Sequence, residues 1–390
     1  MDMQATKFAK YLPLQPFWNI LSLENIIVKK NNILQVFSSS FWGGGELYVY
    51  DLSKRLIEDH HKVICISKKS RIIADKLESS NIPYYNLPLS GVFDLFSALK
   101  IRKIIREESI DIIHVHNFKT LFPIIYANIL SKKKSKIILS RHLIKKAKNN
   151  PLYNFLYSKI NKIIFVSNMS REEFFLSNPR IEKSKTLVIH NSIKSKEKHN
   201  YTFNIKEEYN INNDALLVTF TGRIVPDKGV DILIKAFSKL KSKNTYLIIA
   251  GSGEEEYLNE LNKLVVDNNL TSRVIFLGFV GDIKTVINQS DIGVFPSVWR
   301  EPFGLSIIEF MQEGKAVITT NNGAQKEYII NNETGILVEP GNVEQLSNSL
   351  ETLINNKQLR EEIGQKGKIY FEKELSYEQF YKKIISTYNL

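Results

Sequence analysis

The sequence predicts two successive doubly wound α/β sheets, each of parallel strands crossed over by helices. Three observations predict it. Short β-branched runs alternate with longer amphipathic segments along most of the 390 residues. The alternation pauses once, in a polar Lys- and Asn-rich stretch after Asn191, and it then restarts with the same spacing. Strands separated by helices of that length form βαβ units in a parallel sheet, and the pause marks the connection between two domains.

In the first half, strands are expected at 33–37, 63–66, 112–115, 136–139, 163–166 and 187–189. The second half repeats the pattern at 216–220, 246–250, 274–276, 292–295, 316–319 and 335–338. Helices are expected at 47–57 and 230–240, then at 343–354 and 358–372. A last helix, 377–388, is expected to close the chain against the first domain. The domains are therefore residues 1–200 and 201–375, with 376–390 as the returning helix. Open parallel sheets bind ligands beyond the carboxyl ends of their strands, so a cleft between the two halves is the expected site.

Composition narrows the class. Hydrophobic residues make up 43% of the chain, as in a soluble globular protein, and no apolar run is long enough to span a bilayer. The first thirty residues carry Pro13, Pro16 and Glu24 among their apolar positions and lack the apolar core of a secretory signal. A single cysteine, Cys65, excludes an intrachain disulfide, and a reducing cytoplasm is the expected compartment. The net charge of +12 is unevenly spread: residues 1–200 hold 33 Lys and Arg against 16 Asp and Glu, the remainder 20 against 25. From Ile112 to Ser170 there is no acidic residue, while eight cations from Lys132 to Lys148 crowd one span. Such a field attracts an anionic membrane surface, an acidic glycan or nucleic acid. Peripheral association with the inner membrane face is one expectation, with Leu143, Leu152, Phe155 and Leu156 as interleaved apolar contacts.

The chemistry-bearing residues lie at strand ends. Phe41-Trp42-Gly43-Gly44-Gly45-Glu46 follows the first strand and opens a helix, a cradle suited to phosphate; its spacing fits neither the dinucleotide fingerprint nor a P-loop. His114 and His116 share one face of a strand end, where His116 suits hydrogen bonding better than metal ligation, with packing as the rival role. Ser140-Arg141-His142 and His190-Asn191-Ser192 end further strands. After the first strand of the second half come Gly222-Arg223 and Lys228-Gly229, two cations five residues apart around a turn, able to converge on one diphosphate. Gly251-Ser252-Gly253 follows the next strand and lets the backbone come close to a ligand. In Trp299-Arg300-Glu301-Pro302-Phe303-Gly304-Leu305-Ser306-Ile307-Ile308-Glu309, Pro302 puts Glu301 in a loop and Glu309 in the helix that follows. The amides of Phe303, Gly304 and Leu305 are then expected as free donors at the helix start, and both carboxylates face the same mouth. Amides and cations beside carboxylates suit a ligand with phosphates and hydroxyls.

Taken in order, these segments resemble family 4 of the retaining glycosyltransferases, from about Leu34 to Phe371. The resemblance implies the GT-B fold of two facing Rossmann-like domains. It also implies transfer of a sugar from a nucleoside diphosphate donor with the anomeric configuration retained, without a cofactor or bound metal. Arg223 and Lys228 would neutralise the leaving diphosphate, aided by the amides near Phe303, Gly304 and Leu305 and by Gly44 and Gly45. Glu301 would hold hydroxyls of the moving sugar, Glu309 the ribose, and His116 would touch the donor sugar. Gly251 and Gly253 would line the donor site. The chain departs from the family's usual His-Asn-Gly turn at His190-Asn191-Ser192. A UDP-sugar is the favoured donor, and the implied acceptor is a glycan or lipid-linked molecule in cell-surface polysaccharide or lipopolysaccharide synthesis. A sugar-nucleotide epimerase of the same fold is the nearest alternative. A non-catalytic nucleotide-sugar or nucleic-acid binding protein ranks lower, and nucleic acid is not expected as a partner.

Overall fold

The computed structural model describes residues 30–39, 42–194 and 203–389. The opening segment considered for a leader, Phe41 of the glycine turn and the boundary between residues 200 and 201 lie outside the described residues. The first sheet comprises β1 (Asn32–Val36), β2 (Lys62–Ser67), β3 (Tyr84–Asn86), β4 (Ile112–Val115), β5 (Lys136–Arg141), β6 (Lys162–Phe165) and β7 (Thr186–Val188). The second comprises β8 (Leu216–Thr221), β9 (Thr245–Ala250), β10 (Val274–Gly278), β11 (Ile292–Phe295), β12 (Ala316–Thr320) and β13 (Ile336–Val338). Their orders are β3-β2-β1-β4-β5-β6-β7 and β10-β9-β8-β11-β12-β13, with parallel pairing throughout. Both orders reverse direction beside their first strand, at β1/β4 and at β8/β11. A crevice therefore opens at the carboxyl end of each pair.

The fold is α/β GT-B, as the sequence implies, with three local differences. β3 was not foreseen, because Tyr84-Tyr85-Asn86 is an exposed or half-exposed edge strand with no apolar run to mark it. The first helix, Gly44–Glu58, starts three residues ahead of the apolar pattern, since glycines contribute no periodicity. The Leu305–Gln312 helix starts after Pro302 rather than at it.

Each sheet is covered on both faces by helices, so its central strands are buried on both sides. On one face of the first sheet, Ile33, Val63, Cys65 and Ile112 pack against Tyr377, Phe380, Ile384 and Tyr388. These last belong to the Tyr377–Asn389 helix, so the end of the chain completes the core of its beginning. Burying each such large side chain contributes about 1.5–3 kcal/mol. Cys65 is a buried free thiol, pushed up to about 12 by burial. Among the described residues, no helix is long and apolar enough to cross a membrane.

The loops leaving β8 and β9 run against each other. The Gly222 amide donates to the Ala250 carbonyl at 3.0 Å, and the Ile224 amide donates to Ser252 at 2.8 Å. A Cβ on Gly251, whose φ is 154°, would stand 1.7 Å from the Gly222 carbonyl oxygen, and one on Gly253 would stand 2.3 Å from that of Ile224. Both glycines therefore admit neighbouring backbone, which precedes any ligand in explaining them. Gly251→Ala should lower stability by more than ~2 kcal/mol in urea unfolding. Gly45→Ala, where a Cβ would meet nothing within 4 Å, should stay within about 0.5 kcal/mol of the parent.

Candidate active site

A cleft of about 480 Å³ lies between the two domains. Trp42, Gly43, Gly44 and Leu47 line it from the first domain; Arg223, Lys228, Gly251, Glu301, Gly304, Leu305 and Glu309 line it from the second. The opposed walls touch: a Cβ on Gly44 would stand 2.8 Å from Cδ1 of Leu305. Of the residues singled out from the sequence, His116, Gly45, Gly253 and Phe303 do not line the cleft. Conversely, Phe279, Val280 and Ile283 form an apolar flank after β10 that sequence reasoning missed. The turn Val280-Gly281-Asp282 at a strand's carboxyl end was its one available signal.

Lys228 and Glu301 meet at the base of this cleft. Lys228 Nζ lies 2.5 Å from Glu301 Oε1, which also accepts from Ser297 Oγ at 2.7 Å. Only 8% of Glu301 is exposed, so its charge requires such partners. Local sequence builds the pair. Pro226 opens a tight turn, Gly229 ends it at φ 68°, and the Asp227 carbonyl accepts from the Val298 and Trp299 amides at 3.0 and 3.2 Å. The carboxyl end of β12 holds the glutamate loop from the other side. Thr320 Oγ1 donates to the Ser297 carbonyl, Asn322 Nδ2 to that of Val298 and the Ala324 amide to that of Glu301, each at 2.8 Å. Lys228 is thus already paired, whereas Arg223 is exposed and makes no ion pair among the described residues.

The helix after Glu301 supplies the amides, shifted along the chain from the expected place. Gly304 caps it at φ 94°, so the free donors belong to Leu305 and Ser306, both in the cleft wall. Phe303 is buried instead, 4.9 Å from the Tyr328 ring and 5.5 Å from that of His190, and its carbonyl accepts from Tyr328 Oη. Pro302 and the buried Phe303 make the bend that lets Gly304 start the helix.

In the first domain the histidines form a cluster with the closing helix. His114 bonds Tyr388 Oη and Ser140 Oγ at 2.8 Å each. Gln35 donates to Tyr388 through Nε2 at 3.4 Å, leaving its Oε1 to accept from His116 Nε2 at 2.7 Å. His116 is therefore the Nε2–H tautomer, and its buried Nδ1 is an acceptor with no partner among the described residues. Its ring centre lies 4.1 Å from that of His114 and 5.9 Å from that of His142. Burial is the main cause of lowered proton affinity in all three: His114 falls to about 3, His142 to about 4 and His116 well below its ordinary value. Among the described residues, no group of three or more His, Cys, Asp or Glu is arranged to hold a metal.

Residues 42–197 match the model of glycosyltransferase family 4, and 202–370 match that of the glycosyl transferases group 1. A protein named as an uncharacterized glycosyltransferase of Methanocaldococcus jannaschii is 32% identical over 86% of this chain and 92% of its own. The chain belongs to the family 4, group 1 glycosyltransferases. A crystal structure of a glycosyltransferase from Rickettsia africae is similar to it with a TM-score of 0.82 and 25% identity, over 92% of this chain and 98% of that one. HepE of Anabaena, solved in complex with UDP, shares the fold at a TM-score of 0.79 and 21% identity, over 91% and 99% of the two chains.

As in any enzyme with a two-domain cleft, the relative placement of the walls matters, and Glu327 ties them. This second-domain carboxylate accepts from the Asn168 and Met169 amides at 2.8 Å each, at the start of the first-domain Asn168–Phe175 helix, and from His190 Nε2 at 3.0 Å. Burial pushes Glu327 up, but these hydrogen bonds outweigh it and hold the group below its usual value. Arg300 adds a second crossing tie, 3.0 Å from Glu173. Glu327→Gln removes a charge-assisted cap, and it should lower stability by about 1–2 kcal/mol and the thermal midpoint by a few degrees. The histidine cluster should make stability fall with acid. A histidine held neutral in the fold binds a proton more readily when unfolded, so stability is full above ~6.5 and is lost as pH falls toward about 4. Each such group contributes a slope of about 1.4 kcal/mol per pH unit, and thermal melts between those limits should resolve it.

Proposed function

We propose that the chain is a retaining hexosyltransferase. It moves a sugar from a nucleoside diphosphate sugar, UDP favoured, to a glycan or lipid-linked acceptor in the making of a cell-surface polysaccharide or lipopolysaccharide. The observation that carries the reading is the convergence of Arg223, Lys228 and the Leu305 and Ser306 amides on a cleft whose base holds Glu301 and whose opposite wall is the Gly43-Gly44 turn. Fixed positive charge where a leaving diphosphate gains negative charge lowers the barrier to its departure.

In this reading the diphosphate lies between Arg223 and the helix start, and Lys228 uses one proton on Glu301 and has two for phosphate oxygens. Glu301 Oε1 is occupied by Lys228 and Ser297, and Oε2 is assigned to a hydroxyl of the moving sugar. Glu309, further along the helix on the same wall, takes the ribose, and the base rests on the apolar flank of Phe279 and Val280. His116 offers its unpartnered Nδ1 to a sugar hydroxyl once the domains close. As the C1–O bond to the diphosphate breaks, the acceptor oxygen bonds C1 on the same face, and its proton passes to the departing phosphate oxygen. Arg223 and Lys228 supply the charge that a metal supplies elsewhere, so no bound metal is required. The preference for uridine is the family's commonest choice, and the UDP in the HepE structures is compatible with it.

Arg223→Ala and Glu309→Ala test the site. Each should lower kcat/KM by about 10²–10³, Arg223→Ala with an unchanged melting temperature. Lys228→Ala should abolish transfer, but it also leaves a buried glutamate unpaired, so Arg223→Ala is the cleaner probe. UDP-, GDP- and ADP-sugars would be screened by thermal shift, and anomeric configuration in the product read by NMR, with and without EDTA. Turnover like the parent's in both Arg223→Ala and Glu309→Ala would remove the assignment. Conversion of the donor with no acceptor present would identify an epimerase instead.

A further inference from the structure

The Leu95–Glu107 helix of the first domain has a buried face of Ser97, Ala98, Ile101, Ile104 and Ile105. Its outward face is not polar, as a solvated helix requires: Leu95 is 64% exposed, Phe96 59% and Leu99 56%, with Phe93 just before the helix 94% exposed. Phe93 is held out rather than hanging loose, because Asp94 accepts from the Ser97 amide at 2.9 Å and the Ser90 amide at 2.8 Å on either side of it. The same face continues into Lys100, Arg102, Lys103 and Arg106, where Leu99, the last three cations and Glu107 line a shallow groove of about 420 Å³. Glu107 is the acidic residue there, and Lys103 lies 3.7 Å from it. Lys100 Nζ stands 5.8 Å from the Phe96 ring centre, cation beside aromatic.

We infer that this face docks the protein on a lipid leaflet containing anionic phospholipid, with Phe93, Leu95, Phe96 and Leu99 entering the headgroup boundary and Lys100, Lys103 and Arg106 meeting phosphates, while Arg102 is held through Nε by the Leu130 carbonyl at 3.0 Å. Apolar residues beside cations on one helix face are what an interfacial helix needs. A second copy of the chain fits poorly, since a self-complementary contact would set the cations against their own kind. In the segment expected from sequence, Leu143, Leu152 and Phe155 are exposed, but Leu143 lies outside the Pro151–Ser158 helix, Leu156 is fully buried, Lys133 pairs with Asp111 at 2.7 Å, and Lys134 is spent on three carbonyls of its own chain. The inference extends the reading of a lipid-linked acceptor, and it is tested without turnover.

The full chain would be floated with vesicles of phosphatidylcholine alone and of phosphatidylcholine with phosphatidylglycerol at low salt. Binding to the second only is expected. Phe93→Ser/Phe96→Ser should cut partitioning at least tenfold, and Lys100→Ser/Lys103→Ser about fivefold per cation. Leu143→Ser/Phe155→Ser, on the other candidate surface, should float like the parent. All variants should keep the parent's circular dichroism and its thermal shift with donor, so lost donor binding would count against the proposed function and not against docking. Failure of the parent to float, unchanged flotation of Phe93→Ser/Phe96→Ser, or a dimer in sedimentation that this variant dissolves would overturn the inference.

Discussion

A buried carboxylate that must be paired organises the second domain. Glu301 sits at the base of the cleft with little exposure to water, and it is paired by Lys228 from the turn after β8 and by Ser297 from its own loop. Holding the three together requires a tight turn at Pro226, a left-handed Gly229, and a loop after β11 braced by Thr320, Asn322 and Ala324. Those features would be arbitrary in a surface loop. Around a lysine that has to be in place before a ligand arrives, each has a reason. A preorganised cation needs little rearrangement when charge develops, and that is where fixed electrostatics is worth most.

The first domain solves a complementary problem. Its cradle is a bare backbone at Gly43 and Gly44, and at Gly44 it comes close enough to Leu305 that a side chain would press on the opposite wall. Behind the cradle, the polar cluster of Gln35, His114, Ser140 and Tyr388 sits within an apolar core. Because Tyr388 comes from the last helix, the hydrogen-bonded order at the end of β4 depends on the chain's return from the second domain. The two halves are coupled by that helix, by Glu327 at the start of the Asn168–Phe175 helix and by Arg300 on Glu173.

Much of this was legible in sequence, for physical reasons that differ by residue. Strands such as β4 and β11 are buried on both faces and appear as apolar runs, interrupted in β4 only by His114. β3, at an exposed edge, carries no such run. Arg223, Lys228 and Glu301 were identified by charge next to glycine and proline at strand ends, but their pairing was not, because contact across 73 residues has no periodic signature. Pro302 suits a helix start, and by that local preference Phe303 belongs to an amide cradle. Tertiary packing against Tyr328 and His190 overrode that local preference and moved the start to Leu305. Glu327 gave no signal at all, since its role is to cap a helix 159 residues away.

Charge behaves in the same way. The lysine-rich, acid-free stretch looks uniform as a string, yet folding divides it: Lys133 answers Asp111, Lys134 closes the end of the Leu121–Leu130 helix, and the half-buried Arg141 lies over the Phe174 ring at 4.8 Å. What remains outward-facing is set by helix geometry, and the Leu95–Glu107 helix shows both apolar and cationic residues on one side. In a parallel α/β sheet the helix after β3 runs opposite to the strands, so its first turn lies at the carboxyl end of the sheet, the end that carries the Gly43-Gly44 turn. Phe93 and Leu95 are therefore on the cleft side of the domain. A leaflet touched there would present its headgroups toward the mouth of the cleft, whereas one touched at the opposite end of the sheet would hold them away from it.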